Sequence, residues 1–159
     1  MRLTNINFES SVDYKLTSMV IATISCGGKC WKELGLSSSI CQNDKLNSSQ
    51  VKDISNDLII NKYLDNQLSK SIVFSGLEPF EQFNEILQFI SEFRKFSNDD
   101  IVLFSGYTED ELYKEIEILK NFKNIIIKFG RYIPNKPIKY DEVLGVNLIS
   151  NNQFAVKIS

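Results

Sequence analysis

The chain has 159 residues, 43% hydrophobic and 24% charged, with a formal net charge of −2 and a pI near 5.3. That is enough chain to bury a substantial core, and the composition is that of a globular protein. The mild acidity argues against a nucleic-acid-binding footprint, and no apolar run is long enough to span a bilayer.

The first strong signal is Met19-Val20-Ile21-Ala22-Thr23-Ile24, an apolar strand-like run. Directly after it come the chain's three cysteines, Cys26, Cys30 and Cys41. Ser49 to Tyr63, with Val51, Ile54, Leu58 and Ile59, predicts a helix. Ser71 to Phe74 predicts a short buried strand. Phe80 to Phe96 predicts a helix with Phe80, Phe83, Leu87, Ile90 and Phe93 inward. Asp100 to Phe104 predicts the next strand. Thr108 to Phe122 predicts a helix that buries Leu112, Ile116 and Leu119 and opens on a Thr108–Glu111 capping box. Asn124 to Lys128 predicts another strand. Arg131 to Tyr140, with Pro134 and Pro137, predicts irregular chain. Val143 to Val146 and Gln153 to Ile158 predict a last strand and an edge strand. Apolar strands alternating with amphipathic helices imply βαβ units and a mainly parallel α/β sheet.

The seven glycines are placed selectively. Gly27, Gly28 and Gly35 lie in the cysteine loop, and Gly76, Gly106 and Gly130 each follow a predicted strand. A plain turn explains any one of them. Together they predict a shared ligand site, because parallel α/β folds bind ligands at the carboxyl ends of their strands.

There is no histidine. A closed structural zinc site wants four protein ligands. Three thiolates instead leave one coordination position open, as on a cubane iron–sulfur cluster with one uncovered iron. Glycine, lysine, serine and asparagine around the cysteines do not make a core, and Lys29 and Lys32 suit thiolates. Inert or redox-active thiols are the alternative. The segment Met1–Glu9 has no signal-peptide core, and three cysteines are an odd count for a disulfide framework. A reducing cytoplasm is therefore the expected location.

Other strand ends carry polar groups. Ser75-Gly76-Leu77-Glu78-Pro79 can offer a carboxylate and backbone groups to an ammonium, or can be a simple turn. Ser105-Gly106-Tyr107-Thr108 places a hydroxyl at the same rim, where Thr108 also suits a cap. Lys128-Phe129-Gly130-Arg131-Tyr132 puts a lysine there. Gly145-Val146-Asn147 and Ser150-Asn151-Asn152-Gln153 cluster amides that suit turns, a purine or a peptide backbone.

In order and spacing these segments resemble the radical S-adenosylmethionine superfamily, and within it the activating proteins of anaerobic ribonucleoside-triphosphate reductase. The resemblance runs from about Met19 to the end of the chain. Cys26-x3-Cys30 stands at the place of the cluster motif. Ser75–Pro79 is similar to a Gly-Gly-Glu-Pro segment, Ser105–Thr108 to Thr-Gly-Tyr-Thr, Phe129–Tyr132 to Asp-Gly-Arg-Phe, and Asn151–Gln153 to Ser-Asn-Gln. The spacing is a variant. The usual CxxxCxxC would place its third cysteine at position 33, where this chain has Glu33. With Cys41 as third ligand, the loop from Trp31 to Ile40 folds back, aided by Gly35 and Ser37–Ser39.

The resemblance implies a single domain over residues 1–159 holding a 4Fe-4S cluster on Cys26, Cys30 and Cys41. It also implies S-adenosylmethionine bound by Ser75, Gly76, Glu78, Ser105, Lys128 and Asn147, with Trp31 packing on adenine. The cofactors carry the chemistry, so no side chain is assigned a catalytic role. A full eight-stranded barrel needs about 250 residues. The expectation is thus a partial (β/α) barrel of about five to six mainly parallel strands, with helices on the outside and a lateral face open to a partner. Implied partners are a glycyl-radical protein, such as anaerobic ribonucleotide reductase, and an electron donor such as flavodoxin or ferredoxin. Radical chemistry on a small molecule or modified nucleoside, and a degenerate non-catalytic binding module, are the competing readings.

Overall fold

The computed structural model describes residues 1–159. In chain order the strands are β1 (Arg2–Leu3), β2 (Asn5–Ser10), β3 (Ser18–Ala22), β4 (Lys52–Asp53), β5 (Ser71–Ser75), β6 (Asp100–Phe104), β7 (Ile125–Phe129), β8 (Lys139–Asp141), β9 (Val146–Leu148) and β10 (Phe154–Lys157). The helices are α1 (Lys29–Lys32), α2 (Asn56–Asp65), α3 (Phe83–Phe93) and α4 (Tyr113–Leu119).

The protein is mixed α/β. Its six-stranded sheet runs β10-β7-β6-β5-β3-β2, and the four inner strands are parallel. β2 and β10 flank them antiparallel and leave two edges. Strand periodicity divides the sheet into two faces. Met19, Ile21, Ile72, Phe74, Ile101, Leu103, Ile125 and Ile127 pack with buried residues of α2, α3 and α4. Val73, Val102 and Ile126 face the other way, onto Tyr14, Leu144 and Leu148. The buried helical residues thus all serve one face.

Four sequence expectations are corrected. The helix expected from Ser49 starts only at Asn56. Lys52–Asp53 pairs with Arg2–Leu3, the Met1 ammonium donates to Ile54 O at 2.6 Å, and the Ser55 hydroxyl caps Leu58 N. The helix expected from Phe80 begins with a 3₁₀ turn, Pro79–Gln82, and becomes α-helical at Phe83. Three residues per turn instead of 3.6 rotates the inward stripe. Ile86, Phe89, Ile90 and Phe93 are the buried set, while Phe80, Phe83 and Leu87 pack at its border. In the tail, Lys139 and Tyr140 are strand, and β9 spans Val146–Leu148 rather than Val143–Val146. Asp141 turns that hairpin by accepting from Leu144 N and Gly145 N. β2 was not expected at all.

Phe89 is fully buried, edge-on to Phe74 at 5.5 Å and stacked on Phe93 at 6.0 Å. Phe89→Ala is expected to cost about 3–5 kcal/mol in urea unfolding, and Leu87→Ala at the border less than about 2 kcal/mol. Equal losses would contradict this placement of the helix face.

Candidate metal centre

The carboxyl ends of β3, β5, β6 and β7 open onto a cavity of about 500 Å³. It sits on the face opposite α2, α3 and α4. Ala22 lies opposite Ser75, and Phe104 opposite Lys128, which in turn lies opposite Ala155. Ala22, Ser75, Phe104 and Lys128 all line the cavity. The small pair leaves room at the β3–β5 end, and Lys128 supplies a cation at the β7 end.

All three cysteines line this cavity, together with Gln42 and Asn43. They are free and half-buried. Cys26 follows β3, and Gly28 N donates to its Sγ at 3.4 Å. Gly28 has φ 70° and no room for a Cβ, which would stand 2.5 Å from the Trp31 indole. The loop therefore closes tightly and enters α1, which carries Cys30. The chain then returns. Gly35 (φ 64°) reverses it, Ser37 caps a 3₁₀ turn, and Cys41 N closes onto Ser38 O at 2.8 Å. Leu46 docks this loop over Gly76, where a Cβ would lie 2.9 Å from Leu46 Cδ1 and 3.0 Å from Ala22 Cβ. Glycine at 76 is required there by contact as well as by its φ of 85°.

Burial pushes the Cys26 thiol up to about 11 and raises Cys30 as well. Cys30 also feels the charge of Cys41, and Cys26 that of Cys30, so the three sulfurs share one electrostatic neighbourhood. At half-buried Cys26 and Cys30 desolvation favours the neutral form, Arg131 opposes it only in part at Cys30, and bound iron would reverse that preference. No group of His, Cys, Asp or Glu side chains is arranged to hold a single metal ion. A cubane sets its three thiolates on three different irons, a wider arrangement than one ion requires. The donor set, three thiols and no histidine, fits such a cluster.

The rest of the rim is tied by a polar chain across the strand ends. Glu78 is 4% exposed. Its N–H donates to Ser25 O at 2.9 Å, beside Cys26. Its carboxylate accepts from Ser105 Oγ at 2.9 Å, Gly106 N at 2.8 Å and Phe80 N at 3.2 Å. Burial raises its pKa, and these donors and Lys128 oppose the rise. Lys128 Nζ donates to Ser105 O at 3.2 Å and Gly130 O at 3.0 Å. Gln153 Nε2 donates to the same Gly130 O at 3.2 Å, which leaves the buried Gln153 Oε1 without a donor on the cavity wall. A bound ligand's N–H or O–H would satisfy it.

Of the residues singled out by sequence, Ser75, Gly76, Glu78, Ser105, Lys128 and Asn147 line the cavity with the cysteines. Trp31 does not line it. Its indole folds onto Gly28, with Lys32 Nζ 5.2 Å from the ring. Glu33 turns to Arg131. Leu46, in the returning loop, and Val12, between β2 and β3, line the cavity without having been foreseen, because nothing in their local sequence marks a contact with a distant segment.

The family model described as a 4Fe-4S single cluster domain matches residues 26–153, from the first cysteine to Gln153. The match covers most of the chain, and the protein belongs to this iron–sulfur family. No curated protein and no solved structure matches it. No helix is long and apolar enough to cross a membrane.

Burial lowers Lys128 from 10.5 to about 8. Between these values the unfolded chain holds a proton that the folded one has released, so this lysine favours folding increasingly as pH rises. The raised thiols act oppositely above their ordinary 9.0. Subtracting the Lys128→Met stability profile from that of the metal-free wild type isolates the lysine. The difference is expected to shift toward wild type by about 3 kcal/mol from pH 8 to 10.5. A flat difference would mean an ordinary solvated amine.

Proposed function

We propose that this protein is a radical S-adenosylmethionine enzyme, with its cluster on Cys26, Cys30 and Cys41 and S-adenosylmethionine in the adjoining cavity. One observation carries the reading. Cys41 comes back to line the same strand-end cavity as Cys26 and Cys30, despite its displaced position in the chain. Held by Cys26, Cys30 and Cys41, the cluster would leave one iron without a protein ligand and would supply one-electron reduction to the sulfonium of S-adenosylmethionine.

The chain's own residues bind, orient and exclude water. Gly76, whose side-chain position is taken by Leu46, has only backbone groups to offer the methionine end. Glu78 holds the loops after β5 and β6 in one arrangement and adds negative charge near the ammonium. Ser105 and Lys128 provide polar contacts for the carboxylate or ribose. Asn147 and the free acceptor of Gln153 suit the donors of a purine or ribose. Trp31 reaches adenine only by leaving Gly28. With helices on one face and both sheet edges open, the chain reads as one domain forming part of a barrel wall, with a side left for a protein. The partner of choice is a glycyl-radical protein such as anaerobic ribonucleotide reductase, fed by flavodoxin or ferredoxin. The free thiols suit a reducing cytoplasm.

Anaerobic reconstitution with iron and sulfide, then dithionite and product analysis, tests this. Wild type is expected to form 5′-deoxyadenosine. Cys26→Ala, Cys30→Ala and Cys41→Ala are each expected to lose cluster absorbance and product while unfolding at similar urea concentrations. Full iron binding by Cys41→Ala would remove the third ligand from the scheme.

A further inference from the structure

We infer that Glu33 is a positioning residue: paired with Arg131, it latches the cysteine-bearing turn to the loops after β6 and β7 and turns position 33 away from the metal centre. The inference rests on the cluster reading above and adds a device to the same site.

Cys30 and Glu33 stand three residues apart around the α1 turn, where helical side chains are neighbours. Left alone, position 33 would sit beside Cys30. Arg131 draws it off. Arg131 Nε lies 2.6 Å from Glu33 Oε2 as an ion pair, although its N–H is not aligned for a hydrogen bond. Arg131 Nη2 donates to Glu33 Oε1 at 2.8 Å. The same guanidinium grips Glu111 through Nη1 and Nη2, at 2.8 and 2.7 Å. Its Nη1 also donates to Gly106 O at 3.3 Å.

The other end of the turn is held as well. Lys29 Nζ donates to Glu111 Oε1 at 2.8 Å and sits 4.4 Å from the Tyr107 ring. Glu111 is itself fixed, accepting from Thr108 N at 2.9 Å in the capping box before α4. Hydrogen bonds from Arg131 hold Glu111 well below the usual carboxylate range and raise Arg131 in return. Single exposed ion pairs add little, but here one forked cation joins two carboxylates and is only 15% exposed. Lys29 and Glu33 flank Cys30 on both sides. The latch therefore sets where that sulfur stands relative to Cys26 and Cys41.

The test uses Glu33→Ala and Glu33→Asp in the full chain. In metal-free protein, amides of residues 29–36 are expected to exchange hydrogen about tenfold faster in Glu33→Ala. In wild type, 1 M salt should produce part of this acceleration, because it shortens the screening length to about 3 Å while the 15%-exposed guanidinium stays partly shielded. After reconstitution, Glu33→Ala is expected to take up as much iron as wild type but to lose it about tenfold faster to a chelator. The electron paramagnetic resonance signal of its reduced cluster should broaden, and Glu33→Asp should restore part of each effect. Unchanged exchange and iron loss would overturn the latch. Reduced iron uptake with unchanged exchange would make Glu33 a ligand instead. If wild type itself takes up no iron, the cluster reading fails, while the exchange arm still decides whether the latch exists.

Discussion

A buried carboxylate joins the loops at the carboxyl edge of this sheet. Glu78 reaches the cysteine loop through its N–H, the loop after β6 through both carboxylate oxygens, and its own 3₁₀ turn through Phe80 N. An ion taken out of water costs several kcal/mol unless its lone pairs are satisfied. Here three donors and the nearby Lys128 do so. Removing any of them would leave a buried charge short of partners, so the loops after β3, β5 and β6 behave as one unit. Lys128 and Gln153 extend that unit to β7 and β10 through their common acceptor, Gly130 O.

Parallel pairing fixes where this unit stands. With the four inner strands in register, every strand-to-helix loop emerges on the same edge, and alternate side chains point to opposite faces. One face is filled by aromatic and aliphatic residues of α2, α3 and α4. The other is covered by Tyr14, Leu144 and Leu148, with the cavity beyond them at the carboxyl ends. The 4Fe-4S family match begins at Cys26 and ends at Gln153, two residues that line this one cavity.

The cysteine loop solves a separate problem, returning Cys41 to the cavity that Cys26 and Cys30 line. Gly28 lets the Trp31 indole close the first turn, Gly35 reverses the chain, and Leu46 fits where Gly76 has no side chain. The contacts at Gly28 and Gly76 depend on a missing Cβ, and the reversal at Gly35 on a φ of 64°. The sulfurs so gathered are half-buried, and burial holds Cys26 and Cys30 toward their neutral form, a preference that a bound metal centre would reverse.

The inner strands were legible because burial on both faces demands unbroken apolar runs, and Asp100–Phe104 falls where its pattern put it. The capping box at Thr108 and Glu111 was legible because it is local. The stripe of α3 was not, since a 3₁₀ entry shifts the phase of a correct periodicity. β2 was missed because it is an edge strand with a single buried residue, Ser10, and so carries little hydrophobic signal. For the site, the sequence by itself determined the chemistry on offer: three thiols, no imidazole, and glycine-bearing polar strand ends. Which groups meet was decided only by the tertiary structure. The Glu33–Arg131 pair spans 98 positions, and the seat of Cys41 depends on Leu46 meeting Gly76. Such contacts arise from packing between distant segments, and no local pattern encodes them.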